Sequence, residues 1–292
     1  MDKRETTTLI GDQKAINSER AIELILEKTK FVVSKLIENR GNAEPPFSSE
    51  EYAQLFGVKT IVKADLGETS GLLLRFEDGY VIKVNQKHSL TRQNFSCAHE
   101  IGHILFSGLK LERFVQCTEY RTYNPQRDSK LRYKAREHIC DAVATELLMP
   151  EMIFEKYITK FGLSVGSIEA LAKLFKVSFT ATAIRMAEVS QNPCIAVLWN
   201  NGLHEKSNTL SVSWSLGPRK TNSSAIRFVP VKKQLDTTSA QYKAFVSDDI
   251  IISHQSFRHG NLNIPCRVES KKFGYNENKY VISLAFPTNS NI

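Results

Sequence analysis

Residues 91–106 read TRQNFSCAHEIGHILF, and the reading of the chain turns on the HEIGH at the centre: His99, Glu100 and His103. On an α-helix, His99 and His103 stand one turn apart on a shared face, because four residues is close to the helical period. Two imidazoles so placed can hold one Zn²⁺ through ring nitrogens at about 2.0–2.1 Å. Glu100 is turned about 100° from His99, so its carboxylate lies beside the ion rather than on it. There it can accept a proton from an attacking water, the general-base role in zinc-dependent peptide hydrolysis. The spacing predicts a helix starting at Asn94, packed through Phe95, Ala98, Ile101, Gly102, Leu105 and Phe106, and ending at Gly108.

HExxH by itself also arises by accident, so the reading depends on a third ligand. Residues 136–150, REHICDAVATELLMP, supply one. Glu137 and Asp141 are four apart and share a helical face. Glu137 completes a two-His, one-Glu set with a fourth position open. Asp141 is placed to accept a hydrogen bond from the non-ligating N–H of one histidine, which fixes its tautomer and raises its basicity. The alternative, an amphipathic helix with acids on its solvent side, leaves the pairing with HEIGH unexplained.

The phrase NFSCAHEIGHILF, followed by E-x-x-x-D and ELLMP, resembles the ImmA/IrrE family of bacterial metallo-endopeptidases. Ser70–Asn85 (SGLLLRFEDGYVIKVN) looks like that family's short hairpin before the zinc helix, and Phe161–Met186 like its closing helices. The resemblance spans residues 45–188 and is most specific at the two zinc segments. It implies that His99, His103 and Glu137 bind zinc and that Glu100 is catalytic. It also implies a substrate: a separately encoded partner repressor, often of helix-turn-helix type, cut to switch on genes after DNA damage or phage-related stress. The chain departs from the family at Asp141, where relatives often carry Asn; the ligands are untouched, and the group behind them becomes a carboxylate.

The fold expected is α+β. A zincin-like peptidase domain of helices and a small antiparallel sheet is followed by a β-rich α+β C-terminal domain. Residues 1–44 read as a helical segment packed on the peptidase, 45–189 as the peptidase domain, and 190–292 as the C-terminal domain. The first segment has apolar residues at helical spacing, with Ile22, Leu24, Ile25, Phe31, Val32 and Leu36 as its core set. Pro45-Pro46 breaks it, and Ser48 with Glu50 and Glu51 opens a short helix that ends near Gly57. Val58–Asp65, Gly71–Phe76 and Tyr80–Val84 read as strands, with Asp78-Gly79 as a hairpin turn. After Pro150, Met152–Phe161, Val165–Leu174 and Phe179–Val189 are helical patterns.

Gln191-Asn192-Pro193 marks a change of periodicity. Beyond it come six expected strands, Cys194–Trp199, Leu210–Leu216, Ala225–Val229, Asp249–His254, Cys266–Ser270 and Lys279–Phe286, and one helix, Ser239–Val246. Some members of the resembling family carry a GAF-like sensor here. Either a small-molecule pocket or a nucleic-acid surface fits the pattern. The charge is uneven, residues 1–189 holding 27 Lys+Arg against 25 Asp+Glu and 190–292 holding 12 against 6, which fits either contact with something anionic or a solvated basic surface.

Residues 108–133 read as a basic loop between the zinc helices: a solvated surface, a lid over the cleft, or a basic contact with a nucleic-acid-bound substrate. Cys117 lies in it and offers a thiolate, a zinc ligand at about 2.3 Å, as an inhibitory fourth ligand; the alternative is an inert small residue. Cys97 and Cys140 are expected in packing between the two zinc helices, and His138 is turned away from the ligand face.

The five cysteines are widely spaced and form no CxxC pair, which argues for a reducing cytoplasm. The N-terminus has no apolar h-region, and no run reaches the roughly 20 apolar residues of a membrane span. The function expected is therefore a cytoplasmic zinc metallo-endopeptidase. The competing reading is a zinc-stabilised regulator that senses a ligand or nucleic acid and binds its partner without cutting it. A zinc nucleobase deaminase is a third reading, disfavoured by the missing H-x-E and P-C-x-x-C pattern.

Overall fold

A computed structural model describes residues 18–108, 125–201, 209–218, 229–230, 234–259, 262–274 and 278–288. Packing divides the chain into two units, Met1–Pro150 and Glu151–Ile292.

The first unit contains α1 (Ser18–Arg40), α2 (Ser49–Leu55), β1 (Val58–Ala64), β2 (Gly71–Phe76), β3 (Gly79–Asn85), α3 (Leu90–Gly108) and α4 (Pro125–Leu148). The start of α2 is the one expected. Ser48 Oγ accepts from Glu50 N, and Glu51 Oε2 accepts from Ser48 N in return, which satisfies the end of the helix from both sides.

The small sheet has the order β1-β3-β2. β2 and β3 form the antiparallel hairpin, with Leu73 opposite Ile82, but β1 runs parallel to β3. The sheet is thus mixed, which corrects the antiparallel expectation. The hairpin signal at Asp78-Gly79 governs only the β2–β3 pair, whereas the partner of β1 is set by a non-local contact. Gly79 makes that contact possible: its φ is +145°, and a Cβ there would come within 2.6 Å of the Gly57 carbonyl oxygen. That same oxygen accepts from Tyr80 N at 3.1 Å.

α3 begins at Leu90, four residues before the expected Asn94. Ser89 supplies the start, its carbonyl accepting from Gln93 N at 2.9 Å. Asn94 instead ties α3 to α2, its Oδ1 accepting from Ser49 N and Ser49 Oγ at 2.9 and 2.7 Å. α4 begins at Pro125, so the later part of the expected 108–133 loop is helix. Proline is well suited to a first helical position, where its missing N–H costs nothing. Cys117 lies outside the described residues, as do the side chains of 125–135.

α3 and α4 pack together, and Ala98, Ile101 and Leu105 of the one and Cys140, Val143, Ala144 and Leu147 of the other are all essentially buried. Gly102 brings the backbones close: a Cβ there would lie 3.0 Å from Cys140 Cα. On the other side of α3, Ile82 and Val84 of β3 are buried. This apolar floor fixes the rotation of both α3 and α4.

The second unit contains α5 (Glu151–Phe161), a 3-10 turn (Val165–Ser167), α6 (Ile168–Phe175), α7 (Phe179–Val189), and then β4 (Ile195–Asn201), β5 (Leu210–Leu216), β6 (Val229–Pro230), β7 (Gln234–Leu235), α8 (Ala240–Val246), β8 (Ile251–His259), β9 (Leu262–Phe273) and β10 (Tyr280–Pro287). The three helices match their predicted spans closely. The strands form one sheet of order β6-β8-β9-β10-β4-β5-β7, paired antiparallel throughout. β8 and β9 run longer than the sequence suggests, because the polar residues Gln255, Ser256 and Arg258 and the proline at 265 interrupt the apolar signal. Pro265 is tolerated near the end of the β9–β10 ladder, where its carbonyl still accepts from Thr288 N at 2.9 Å.

One face of this sheet carries Ile195, Val197, Trp199, Phe257, Cys266, Val268 and Val281 in a core shared with Ala244 of α8. Within the sheet, Trp199 Nε1 donates to Ser283 Oγ at 3.0 Å, and Ser283 meets Ser270 at 2.8 Å, so these buried polar groups are satisfied. The break in packing falls at Pro150/Glu151, which places α5–α7 with this sheet. The change from helices to strands comes later, between Val189 and Ile195.

Candidate metal centre

The HEIGH helix and the E-x-x-x-D helix bring four of the expected residues together. His99 Nε2 lies 3.3 Å from Glu137 Oε2, and His103 Nε2 lies 3.7 Å from Glu137 Oε1. The two imidazole rings are edge to face, with centroids 4.9 Å apart. Behind His99, Nδ1 meets Asp141 Oδ1 at 2.8 Å. Glu100 is buried at 9% exposure on the same helix as the histidines. His138 is exposed on α4, as its helical phase predicts.

Several features fit a divalent cation between His99, His103 and Glu137. Atoms each about 2.0–2.1 Å from a tetrahedral ion lie about 3.3–3.4 Å from one another, close to the spacing seen here. Glu137 Oε1 is buried with no hydrogen-bond donor in reach among the described residues; Arg136 Nε, like His103 Nε2, is 3.7 Å away. A buried carboxylate oxygen left without a hydrogen bond is costly, and a cation removes that cost. Two nitrogens and a carboxylate oxygen form a donor set suited to zinc.

A second grouping shares two of these residues: His99, His103 and Cys140 offer atoms within 4.8 Å of one another. Here the contact is between Cys140 Sγ and His103 Nδ1, at 3.3 Å, the side of the ring away from Glu137. His99 Nδ1 is already engaged by Asp141. The two Nε2 atoms therefore converge on Glu137, and Cys140 stands behind His103. Sequence reasoning put Cys140 in the helix interface but missed this contact, since helical phase alone does not say which neighbour a buried thiol meets.

Electrostatics separate the two histidines. Burial opposes charge on His99, but the hydrogen bond to Asp141 and the nearby carboxylates outweigh it and raise its pKa. Burial and the adjacent His99 push His103 down to about 4, so its ring is neutral at physiological pH. Burial raises Glu100, helped by Glu137. Burial drives the Cys140 thiol far up as well.

Cys97 is buried at 2%, and burial raises its thiol pKa to about 11, with Ser49 of α2 opposing the shift. Another unforeseen neighbour of Glu100 is Gly71, the first residue of β2. A Cβ at Gly71 would fall 2.9 Å from Glu100 Oε1 and 3.3 Å from its Cγ. β2 is an edge of its sheet among the described residues, so a sheet edge reaches the site.

The domain model described as IrrE N-terminal-like matches residues 53–187, which takes in every residue of this site. The metallopeptidase ImmA of Bacillus subtilis is 30% identical over 135 residues, covering 44% of this chain and 69% of that one. The chain belongs to the ImmA/IrrE family.

Two further members of this metallopeptidase family are the radiation response metalloproteases IrrE of Deinococcus radiodurans, 28% identical over 115 residues, and of Deinococcus deserti, 29% over 116. Those matches cover 39% and 40% of this chain and only 33% and 39% of the relatives. The chain thus spans well under half of either Deinococcus protein. A solved structure, a Mycobacterium tuberculosis transcriptional regulator, shares the fold with a TM-score of 0.58 and 14% identity, over 92% of this chain and 80% of that one. No helix among the described residues is long and apolar enough to cross a membrane.

Proposed function

We propose that this ImmA/IrrE family member is a zinc-dependent endopeptidase that cleaves a separately encoded helix-turn-helix repressor, releasing stress, DNA-damage or phage-defence genes. The observation that carries this reading is the convergence of His99 and His103 Nε2 on Glu137 with Glu100 buried on the same helix. The peptidase segment is residues 45–189, of which α5–α7 pack within the second unit. The β-rich remainder, 190–292, is a sensor-like domain, GAF-like in role, that receives a small molecule or nucleic acid in the cytoplasm.

His99, His103 and Glu137 hold the zinc ion. When bound, zinc polarises the scissile carbonyl and makes water a better nucleophile near neutral pH. Glu100 accepts the proton of the attacking water and returns it to the leaving amine. Its burial suits the first half of this cycle, because a carboxylate whose pKa is raised takes up the water's proton more readily than an ordinary glutamate. Asp141 keeps the His99 N–H on Nδ1, which leaves the Nε2 lone pair directed at the ligand cluster. β2 offers unpaired backbone groups to an extended peptide, and Gly71 lets that edge reach Glu100 closely enough to align the scissile bond.

The test is zinc content together with cleavage of a repressor encoded beside the gene. About one zinc per chain in the wild type, lost in Glu137→Ala, and a Glu100→Gln protein that keeps zinc but does not cut, support the reading. Repressor binding unchanged by Glu100→Gln, with no cleavage by the wild type, replaces it with the zinc-stabilised regulator. Faster cleavage by Cys117→Ala identifies the thiol as a brake on the same site.

A further inference from the structure

We infer that Cys140 is a positioning residue for His103, accepting a hydrogen bond from its Nδ1–H and so presenting Nε2 to the metal. This rests on the zinc-site reading above. A neutral imidazole has one lone pair and one N–H. If Nε2 is to donate its lone pair, Nδ1 must carry the hydrogen, and that hydrogen needs an acceptor. Asp141 is the acceptor for His99, at 2.8 Å. For His103 the group in place is Cys140 Sγ, at 3.3 Å, within the range of an N–H to sulfur contact.

A second observation shows that the contact is built into the helix pair. Cys140 is fully buried, and its Cα lies where a Cβ on Gly102 would come within 3.0 Å. The glycine inside HEIGH therefore allows α4 to approach α3 at the position that brings the thiol onto the ring of His103. Glu137 and Cys140 are three residues apart on α4, so one turn of helix supplies both the carboxylate facing His103 Nε2 and the sulfur facing Nδ1. The two histidines are thus backed differently, one by a carboxylate and one by a neutral thiol.

The competing assignment makes Cys140 a direct metal ligand through the same sulfur. It would have to share His103 Nδ1 with the metal and leave Nε2 of both rings facing Glu137 without an ion. The geometry favours the positioning role.

The experiment compares the wild type with Cys140→Ala and Cys140→Ser as full-length proteins. Long-range ¹H–¹⁵N spectra of the metal-free proteins report the tautomer of His103 without any need for metal or activity. The expected result is an Nδ1–H ring in the wild type, a mixed or Nε2–H ring in Cys140→Ala, and recovery in Cys140→Ser, whose hydroxyl also accepts. Competition with a chelator is expected to show zinc affinity reduced by about 10- to 100-fold in Cys140→Ala, with partial recovery in Cys140→Ser. An unchanged tautomer in Cys140→Ala overturns the proposal, as does a sulfur-to-metal charge-transfer band in the cobalt(II)-loaded wild type, which would make Cys140 a ligand. If the wild type takes up no zinc, the peptidase reading falls, and the tautomer alone decides the role of Cys140.

Discussion

Gly71 of β2 and Glu100 of α3 meet so closely that a single added methyl group would fall 2.9 Å from the carboxylate. The atom in the way, Oε1, is at the end of a flexible side chain, so the side chain can yield while the backbone stays. Gly71→Ala is therefore expected to fold and to bind metal with near-wild-type stoichiometry while turning Glu100 out of line. A misplacement of about 1 Å can cost roughly 100-fold in rate. A fall in kcat of about 10- to 100-fold with metal content retained would bear this out. Full activity in Gly71→Ala would mean that the carboxylate has room to spare.

Glu100 also bears on stability. Burial raises its pKa above the ordinary glutamate value, so the folded metal-free protein disfavours the ionised form. Stability is then greatest at low pH and declines as pH rises from the unfolded-state value through the folded one. Glu100→Gln, which cannot ionise, is expected to raise the melting temperature of the metal-free protein at pH 7.5 and to leave it nearly unchanged at pH 4.5. Thermal melts of the two proteins at the two pH values make the comparison. A destabilised Glu100→Gln protein at pH 7.5 would contradict the assigned cause.

Asp141 acts on His99 in two opposed ways. Its hydrogen bond orients the ring, and it also raises the ring's affinity for a proton, which competes with metal. Removing it should lower zinc affinity at pH 8 by about 10- to 100-fold. The same change lowers the pKa of His99 and so weakens proton competition, and the deficit in zinc affinity should narrow as the pH falls. Asp141→Asn keeps an acceptor oxygen without the charge and should fall between Asp141→Ala and the wild type. Zinc dissociation constants measured from pH 5 to 8 for the three proteins test both effects.

Much of this architecture was legible because it is local. HEIGH and E-x-x-x-D are one-turn spacings, so their faces follow from helical period alone, and Ser48 with Glu51 announces its own cap. What escaped was non-local. β1 pairs with β3 through contacts that no turn residue signals, and Asn94 looked like a helix start because it is a capping residue type, yet it bonds Ser49 forty-five positions away. Cys140 and Gly71 show the same limit at the site. Each meets its neighbour at the site, His103 or Glu100, because separate elements pack together, and the sequence around them records only that they are small.

The last prediction concerns what the site cuts. β2 alternates, with Gly71 and Leu73 on the side of α3 and Leu72, Leu74 and Phe76 on the outer face, where Leu72 is 42% and Phe76 52% exposed. A peptide laid along this edge places every second side chain beside that apolar row. Cross-strand apolar pairs contribute about 0.2–1 kcal/mol each. Cleavage should therefore favour segments with apolar residues at alternate positions, away from the scissile bond on the outer face. Replacing Leu72 and Phe76 together with lysine should lower kcat/KM for such peptides by roughly 2- to 30-fold, as two lost pairs imply, and improve it for peptides with acids at those positions. Metal content should not change. A peptide library cleaved by both proteins gives the answer: the same preference in each would place substrate recognition away from the β2 edge.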